Sequence, residues 1–364
     1  MKMKKSFIPG ARIFCKSVPY FLFALIFSAC GNNASESNTT ATDSAAQTTA
    51  AATDPLPSWN EGDAKKAIIA FVKATTDSSD SSFVKPGERI ATFDQDGTLW
   101  VEHPIYSQLV YCFDRVPALV KAKPALKNVE PFKTVMSGDR EAIGKLTLPD
   151  LEKIAVMTLT GMTETQFTAE VKDWLAKAKD HRWNKSYTDL TYQPMQEVMH
   201  YLRDNGYKTY IVTGGGQDFV RVYSNQTYGV PPEQVVGTAV EATFKYDSAT
   251  GKSALLKDPK LLLNNNGAGK VQGIQLVIGH RPNAAFGNTA GDQQMLEYAK
   301  GGNGARLAVL VMHHDSTREY AYGPAQGLPD TKVGALSQAL YDEAKKSGWI
   351  VISMKNDWKT IFSK

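Results

Sequence analysis

The apolar run Ile90-Ala91-Thr92-Phe93 ends abruptly in Asp94-Gln95-Asp96-Gly97-Thr98-Leu99-Trp100, two carboxylates one residue apart followed by glycine. In an open α/β sheet, ligands bind beyond the carboxyl ends of the strands, so both aspartates would lie on the floor of a crevice. Successive side chains of a strand point in opposite directions. A turn at Gly97 lets the chain leave the strand so that both carboxylates can face one site. Two carboxylates that close repel each other, and a divalent cation is the usual remedy. A plain Asp-Gly hairpin turn is the simpler alternative. A calcium loop would need further acidic or amide ligands at alternate positions and a glutamate at the twelfth, which the chain lacks.

The rest of the chain favours an α/β sheet over a hairpin. Asp63 to Val72 carries Ala67, Ile68, Phe71 and Val72 on one helical face. After Trp100, the apolar residues Ile105, Leu109, Cys112, Phe113 and Val116 have helical spacing, and Pro117 is expected to interrupt that helix. Thr163-Glu164-Thr165-Gln166 is a capping box opening a helix whose face is Phe167, Val171, Trp174 and Leu175. Residues from 102 to about 190 therefore read as a helical insert, with their Met and Trp residues as core. From Pro194 onward, helices alternate with strands. Met195, Val198, Met199 and Leu202 line a helix ending at Asn205-Gly206, followed by strand 208–212, a helix over 217–228, a hairpin over 235–256, and strands at 284–286, 307–312 and 349–354. This alternation predicts a doubly wound, mainly parallel sheet.

Charge excludes some partners. The chain has 41 Lys+Arg against 37 Asp+Glu, but Lys2, Lys4, Lys5, Arg12 and Lys16 all precede Cys30. Taking those five away leaves 36 basic residues against 37 acidic, so neither nucleic acid nor an anionic membrane surface is expected as a partner. The basic start and the apolar run 18–27 read as an export signal, too short for a transmembrane helix. Ser28-Ala29-Cys30-Gly31 resembles the lipobox of bacterial lipoproteins, in which the cysteine is acylated and becomes the mature N-terminus. Residues 1–29 are thus expected to be a signal peptide and 30–58, rich in Ser, Thr and Ala, a tether. The domain would occupy 59–364, exported and lipid-anchored, standing in the periplasm with membrane contact through Cys30 alone. With Cys15 removed and Cys30 lipidated, Cys112 stands alone, so no disulfide supports the domain. At about 300 residues it is long enough to rely on its core.

Three strand ends carry polar or glycine-rich clusters. Thr213 with Gly214, Gly215 and Gly216 offers a hydroxyl and several backbone N–H groups ahead of a helix, a setting suited to phosphate. Asn288 and Asp292, in Gly287-Asn288-Thr289-Ala290-Gly291-Asp292, supply oxygen ligands for a hard cation such as Mg²⁺. Lys270 could bridge a nucleophile and a phosphate with a compact charge. His313, His314, Asp315 and Arg318 read as a satisfied polar loop more readily than as a zinc site.

In order and spacing, these clusters resemble the four motifs of the haloacid dehalogenase superfamily, within it the phosphoserine-phosphatase-like branch. Residues 94–98 match the first motif, 212–215 the second, Lys270 the third and 287–292 the fourth, covering residues 89–312. The resemblance implies that Asp94 attacks phosphorus to form an aspartyl-phosphate, while Asp96 protonates the leaving alkoxide and then activates water. It implies Mg²⁺ held by Asp94, the Asp96 carbonyl, Asn288 and Asp292, and phosphoryl oxygens held by Thr213, Gly214, Gly215 and Lys270. An acid at position 96 separates phosphatases from the family's dehalogenases and ion-pumping ATPases. The substrate expected is a small phosphorylated metabolite. Where the family usually carries an acid, this chain has Asn288, an amide with one negative charge fewer. Glu102, where the chain leaves for the insert, is a candidate substrate selector; a solvated hinge residue is the alternative. A lipid-anchored binding protein that keeps the fold without turnover is the rival function, but such a protein has no need of Asp96.

Overall fold

The computed structural model describes residues 53–363; the expected signal peptide, Cys30 and the tether up to residue 52 lie outside them. Seven strands form one sheet: β1 (Ile90–Phe93), β2 (Lys208–Gly216), β3 (Val235–Asp247), β4 (Lys252–Leu263), β5 (Ala284–Gly287), β6 (Leu307–Met312) and β7 (Ile350–Ser353). Their order is β4-β3-β2-β1-β5-β6-β7. Every pairing is parallel except the β3–β4 hairpin. The doubly wound sheet expected from the sequence is present. Order reverses at β1, whose neighbours are β2 on one side and β5 on the other. The carboxyl end of β1 is therefore the topological switch point, the position at which doubly wound sheets bind ligands.

Strand alternation builds two core layers. Leu307, Val309 and Val311 face one side with Ile211, Val235 and Phe286; Ala308 and Leu310 face the other with Val212, Val236 and Ala285. The Asp63–Thr76 and Gln193–Asp204 helices cover the first face through Ile68, Phe71, Val198 and Leu202. The Gln293–Lys300 and Gln338–Lys346 helices cover the second through Met295, Leu296 and Leu340. Phe93 and Phe286, register partners on β1 and β5, stack with ring centroids 4.3 Å apart just beneath the crevice. Each fully buried aromatic of this kind contributes about 1.5–3 kcal/mol, which helps hold the two strands in register.

Helices of the insert run from Ser107 to Lys177. The Ser107–Ala122 helix passes through Pro117, contrary to the expected interruption. Its buried face of Tyr111, Cys112, Val116 and Val120 is anchored on both sides of the proline, so packing outweighs one missing N–H bond. Expected as one helix, residues 217–228 form two short ones, Gln217–Arg221 and Ser224–Tyr228. The hairpin extends to Leu263 and wraps the insert: Lys257 exchanges backbone bonds with Met162 (3.0 Å) and Gly161 (2.8 Å), and its ammonium lies over the Phe167 ring. The domain also begins before residue 59. Leu56 is fully buried and Asp54 pairs with the Lys65 ammonium at 2.6 Å, so one leucine in a polar run suffices to dock the end of the expected tether. Among the described residues no helix is long and apolar enough to cross a membrane.

Candidate active site

β1 is buried along its whole length, and its backbone bonding continues past the strand where Asp94 N–H donates to the Phe286 carbonyl at 2.9 Å. Gly97 then turns the chain at φ +73°, a left-handed value open to glycine. The turn is closed by Gly97 N–H bonding the Trp100 carbonyl at 2.9 Å. Gln95 points away and donates to the Tyr228 hydroxyl at 2.9 Å, which leaves Asp94 and Asp96 on the crevice side.

Lys270 is almost fully buried, and its ammonium satisfies all three N–H donors: it bonds Asp94, the Val212 carbonyl at 2.7 Å and Asp292 at 2.6 Å. The other oxygen of Asp292 accepts from the Asn288 and Thr289 N–H groups at 2.9 and 3.0 Å. Asp292 therefore ties the loop after β5 to Lys270, and both its oxygens are engaged. Asp96 is half-buried and accepts from the Trp100 indole N–H at 2.7 Å; Trp100 stacks on Tyr223 at 4.8 Å between centroids. Glu102 is not a solvated hinge. Its carboxylate is buried and accepts from the Asn288 amide at 2.6 Å and the Tyr322 hydroxyl at 2.9 Å.

The expected phosphate segment leads straight into a short helix, with Gly216 at that helix's N-cap. β2 runs through Gly216, so Gly214 and Gly215 lie within strand, and the helix that follows has five residues. Gly215 N–H donates to the Thr213 hydroxyl at 2.9 Å and Gly216 N–H to the Gln108 side chain at 2.7 Å. Gly214 is exposed. Gln108 thus brings the first turn of the insert to the end of β2, on the same side as Asp96. His313 and His314 are satisfied polar residues: His313 bonds the Gly97 carbonyl at 2.7 Å and Glu319 at 3.2 Å, and His314 contacts the Met312 carbonyl and Ser353. The Gly97 carbonyl can only accept, so His313 donates to it from Nε2.

Four carboxylates, Asp94, Asp96, Glu102 and Asp292, share this crevice with one ammonium, Lys270. Burial and the Asp292 charge raise Asp94, with Lys270 opposing. Burial pushes Asp96 up to about 6, against the Trp100 hydrogen bond. Burial and then the Asp96 charge hold Glu102 well above the usual carboxylate range. For Lys270, burial pulls the ammonium down, but the Asp292 and Asp94 charges outweigh it and raise its pKa. Among the described residues, no three His, Cys, Asp or Glu side chains converge to hold a metal ion by themselves.

Sequence reasoning singled out Asp94, Asp96, Thr213, Lys270, Asn288 and Asp292; hydrogen bonds join Asp94, Lys270, Asp292 and Asn288, and Thr213 and Asp96 both lie beside Gly215. It missed Tyr322, Gln108, Trp100 as partner of Asp96, and the Glu319–His313 support of Gly97. Tyr322 reaches Glu102 across 220 residues, and no local pattern signals such a contact.

A doubly wound α/β domain with a carboxylate–lysine crevice at its switch point belongs to a class of enzyme-like folds in which that end of the sheet carries the chemistry. The family model described as haloacid dehalogenase-like hydrolase matches residues 91–297, and the chain belongs to that family. A conserved, functionally unknown protein from Anaerococcus prevotii is similar in structure, with a TM-score of 0.53 and 14% identity over 84% of this chain and 97% of that one. A protein of unknown function from Bordetella pertussis matches at 0.43 and 16% identity, covering 73% and 99%. A phosphoserine phosphohydrolase-like protein from Francisella tularensis matches at 0.34 and 20%, covering 62% and 88%. The first shares the fold; at scores below 0.5 the other two add nothing to it. No curated protein matches the sequence.

Proposed function

We propose that this hydrolase-family protein is a Mg²⁺-dependent phosphatase that cleaves a small phosphate monoester through an aspartyl-phosphate on Asp94. The observation that carries the reading is the buried Asp94–Lys270–Asp292 chain at the carboxyl end of β1, with Asp96 free of Lys270 and held by Trp100. Asp94 Oδ forms the bond to phosphorus as the ester P–O bond breaks, and the leaving alkoxide takes a proton from Asp96. Asp96, now ionised, removes a proton from water as that water attacks phosphorus and frees Asp94. Raising the Asp96 pKa toward 6 supports proton donation near neutral pH. The Thr213 hydroxyl and the Gly214 and Gly215 segment hold phosphoryl oxygens, and Lys270 keeps Asp94 aimed. A site that only binds has no use for Asp96 in this position.

The donor set suits a hard divalent cation. Fully ionised, the four carboxylates exceed the one ammonium by three charges, and Mg²⁺ takes few protein oxygens and keeps several waters. The Asp94 carboxylate, the Asp96 main-chain carbonyl, the Asn288 carboxamide oxygen and Asp292 would hold it, with Asp292 also fixing Lys270. When bound, the ion neutralises charge on the transferred phosphoryl group. Because Glu102 is buried and its Oε1 accepts from both Asn288 and Tyr322, a phosphoserine-type amine contact through it gains no support. The test is a screen over a panel of phosphometabolites. At least one small monoester should be hydrolysed, with the rate lost in EDTA and restored by Mg²⁺. Activity on none of them, or activity that EDTA leaves unchanged, overturns the reading.

We also propose that the domain is exported and anchored through a lipid on Cys30, on the strength of Ser28-Ala29-Cys30-Gly31. Cys30→Ala should release the protein from membranes or leave an unprocessed precursor. Unchanged fractionation with normal processing excludes the anchor.

A further inference from the structure

We infer that Glu102 is a positioning residue of this site: its buried carboxyl group orients the Asn288 carboxamide toward the cation position and lends it negative charge from behind once a cation is bound. The inference rests on the proposed Mg²⁺ site and extends it to a residue outside the four motifs.

Hydrogen-bond chemistry sets the orientation. An asparagine side chain can turn its oxygen or its NH₂ toward a neighbour, and the Glu102 oxygen that already accepts from Tyr322 can take only another donor. Glu102 Oε1 receives the Asn288 Nδ2 donor at 2.6 Å, so Oδ1 lies on the opposite side, 3.4 Å from the Thr98 hydroxyl. The Tyr322 hydroxyl donates to the same Glu102 oxygen at 2.9 Å, and the Tyr322 ring is packed between His103 and His313 with centroids 4.0 and 4.5 Å away. Glu102 is thereby held from behind.

The surrounding backbone makes room for this carboxylate. Gly97 at φ +73° and Gly334 at φ +71° come from segments far apart in sequence, and a Cβ at either would overlap the Glu102 carboxyl group. Among the described residues Glu102 forms no ion pair. A buried carboxylate with only neutral donors is costly, and a cation on the far side of the Asn288 amide offsets that cost. The charge also strengthens the ligand, because a carboxylate accepting from the amide NH₂ polarises electron density onto the amide oxygen. Groups that hydrogen-bond to metal ligands in this way commonly matter 10–100-fold in affinity. A purely structural buttress of the Gly97 turn would show none of that dependence.

Calorimetric titration of the purified chain with MgCl₂ separates the two roles, with metal-free melting measured alongside. Glu102→Gln should weaken Mg²⁺ binding by about 10-fold or more. Tyr322→Phe, which keeps the charge but loses its anchor, should weaken it in the same direction by less. Asn288→Asp alone places two carboxylates in contact and should bind Mg²⁺ no better than the parent. The exchange Glu102→Gln with Asn288→Asp restores one acid and one amide with donor and acceptor reversed, and should recover affinity relative to Glu102→Gln. If Glu102→Gln lowers metal-free melting while the Mg²⁺ Kd stays within twofold, Glu102 is a buttress and the inference is overturned. Should that variant not fold, an unchanged Kd in Tyr322→Phe overturns it instead. A wild-type chain that takes up no Mg²⁺ overturns the proposed reaction itself, whereas a wild type that binds and a Glu102→Gln that binds equally removes only the role of Glu102.

Discussion

Asp94→Asn should lower kcat on the best substrate by on the order of 10⁴-fold or more, because a nucleophile that forms a covalent intermediate has no substitute among its neighbours. A loss of that size corresponds to about 5.4 kcal/mol of transition-state stabilisation at about 1.36 kcal/mol per decade. The fold should survive. Asparagine has the same shape, its oxygen still accepts from Lys270, and the change removes one negative charge from a crevice where carboxylates outnumber the ammonium. Loss of the Asp94–Lys270 attraction and relief of the Asp94–Asp292 repulsion act in opposite directions, so melting should move by only a few degrees. Acid quenching of the reaction with phosphorus-labelled substrate gives a direct readout. Label should stay with the wild-type chain and be absent from the variant. Retained turnover in Asp94→Asn removes the covalent mechanism.

Lys270→Met should damage both stability and activity. Its ammonium is buried and bridges Asp94, Asp292 and the Val212 carbonyl. Methionine fills much of the same volume but leaves two buried carboxylates facing each other without a counter-charge. Removing one partner of a buried ionic cluster costs about 3–5 kcal/mol. Urea unfolding of the metal-free chain should show a loss of that order, and Mg²⁺ should restore part of it if the cation shares the crevice. Turnover should fall with it, because Asp94 loses the contact that aims it. A variant as stable as wild type in the absence of metal would mean that the two carboxylates are already neutral, and the charge argument for the cation would fail.

Several parts of this molecule are legible in a single chain because they are local. The Ile90–Phe93 run followed by two aspartates and a glycine specifies a strand, its end and its turn within eight residues. The capping box at Thr163 and Gln166 forms both reciprocal bonds in the structure. Strands alternating with helices specify a parallel sheet, because parallel neighbours need long crossovers. Hydrophobic period alone could not decide whether the helix at Ser107–Ala122 would survive Pro117, since the answer lies in what Tyr111, Cys112, Val116 and Val120 pack against.

By itself, the sequence determined the sheet, the position of Asp94 and Asp96 at a strand end, and the set of strand-end residues that would converge on them. Each of these follows from short-range periodicity and from the rule that the carboxyl ends of parallel strands share one edge. Only the tertiary structure decided what each side chain does once there. It turned Asp292 onto Lys270, set the Trp100 indole against Asp96, drew Gln108 to the end of β2, and buried Glu102 between Asn288 and Tyr322. These roles depend on contacts across tens to hundreds of residues. Hydrogen bonding and burial act at distances of a few ångströms, and which groups come that close is settled by packing rather than by neighbourhood along the chain.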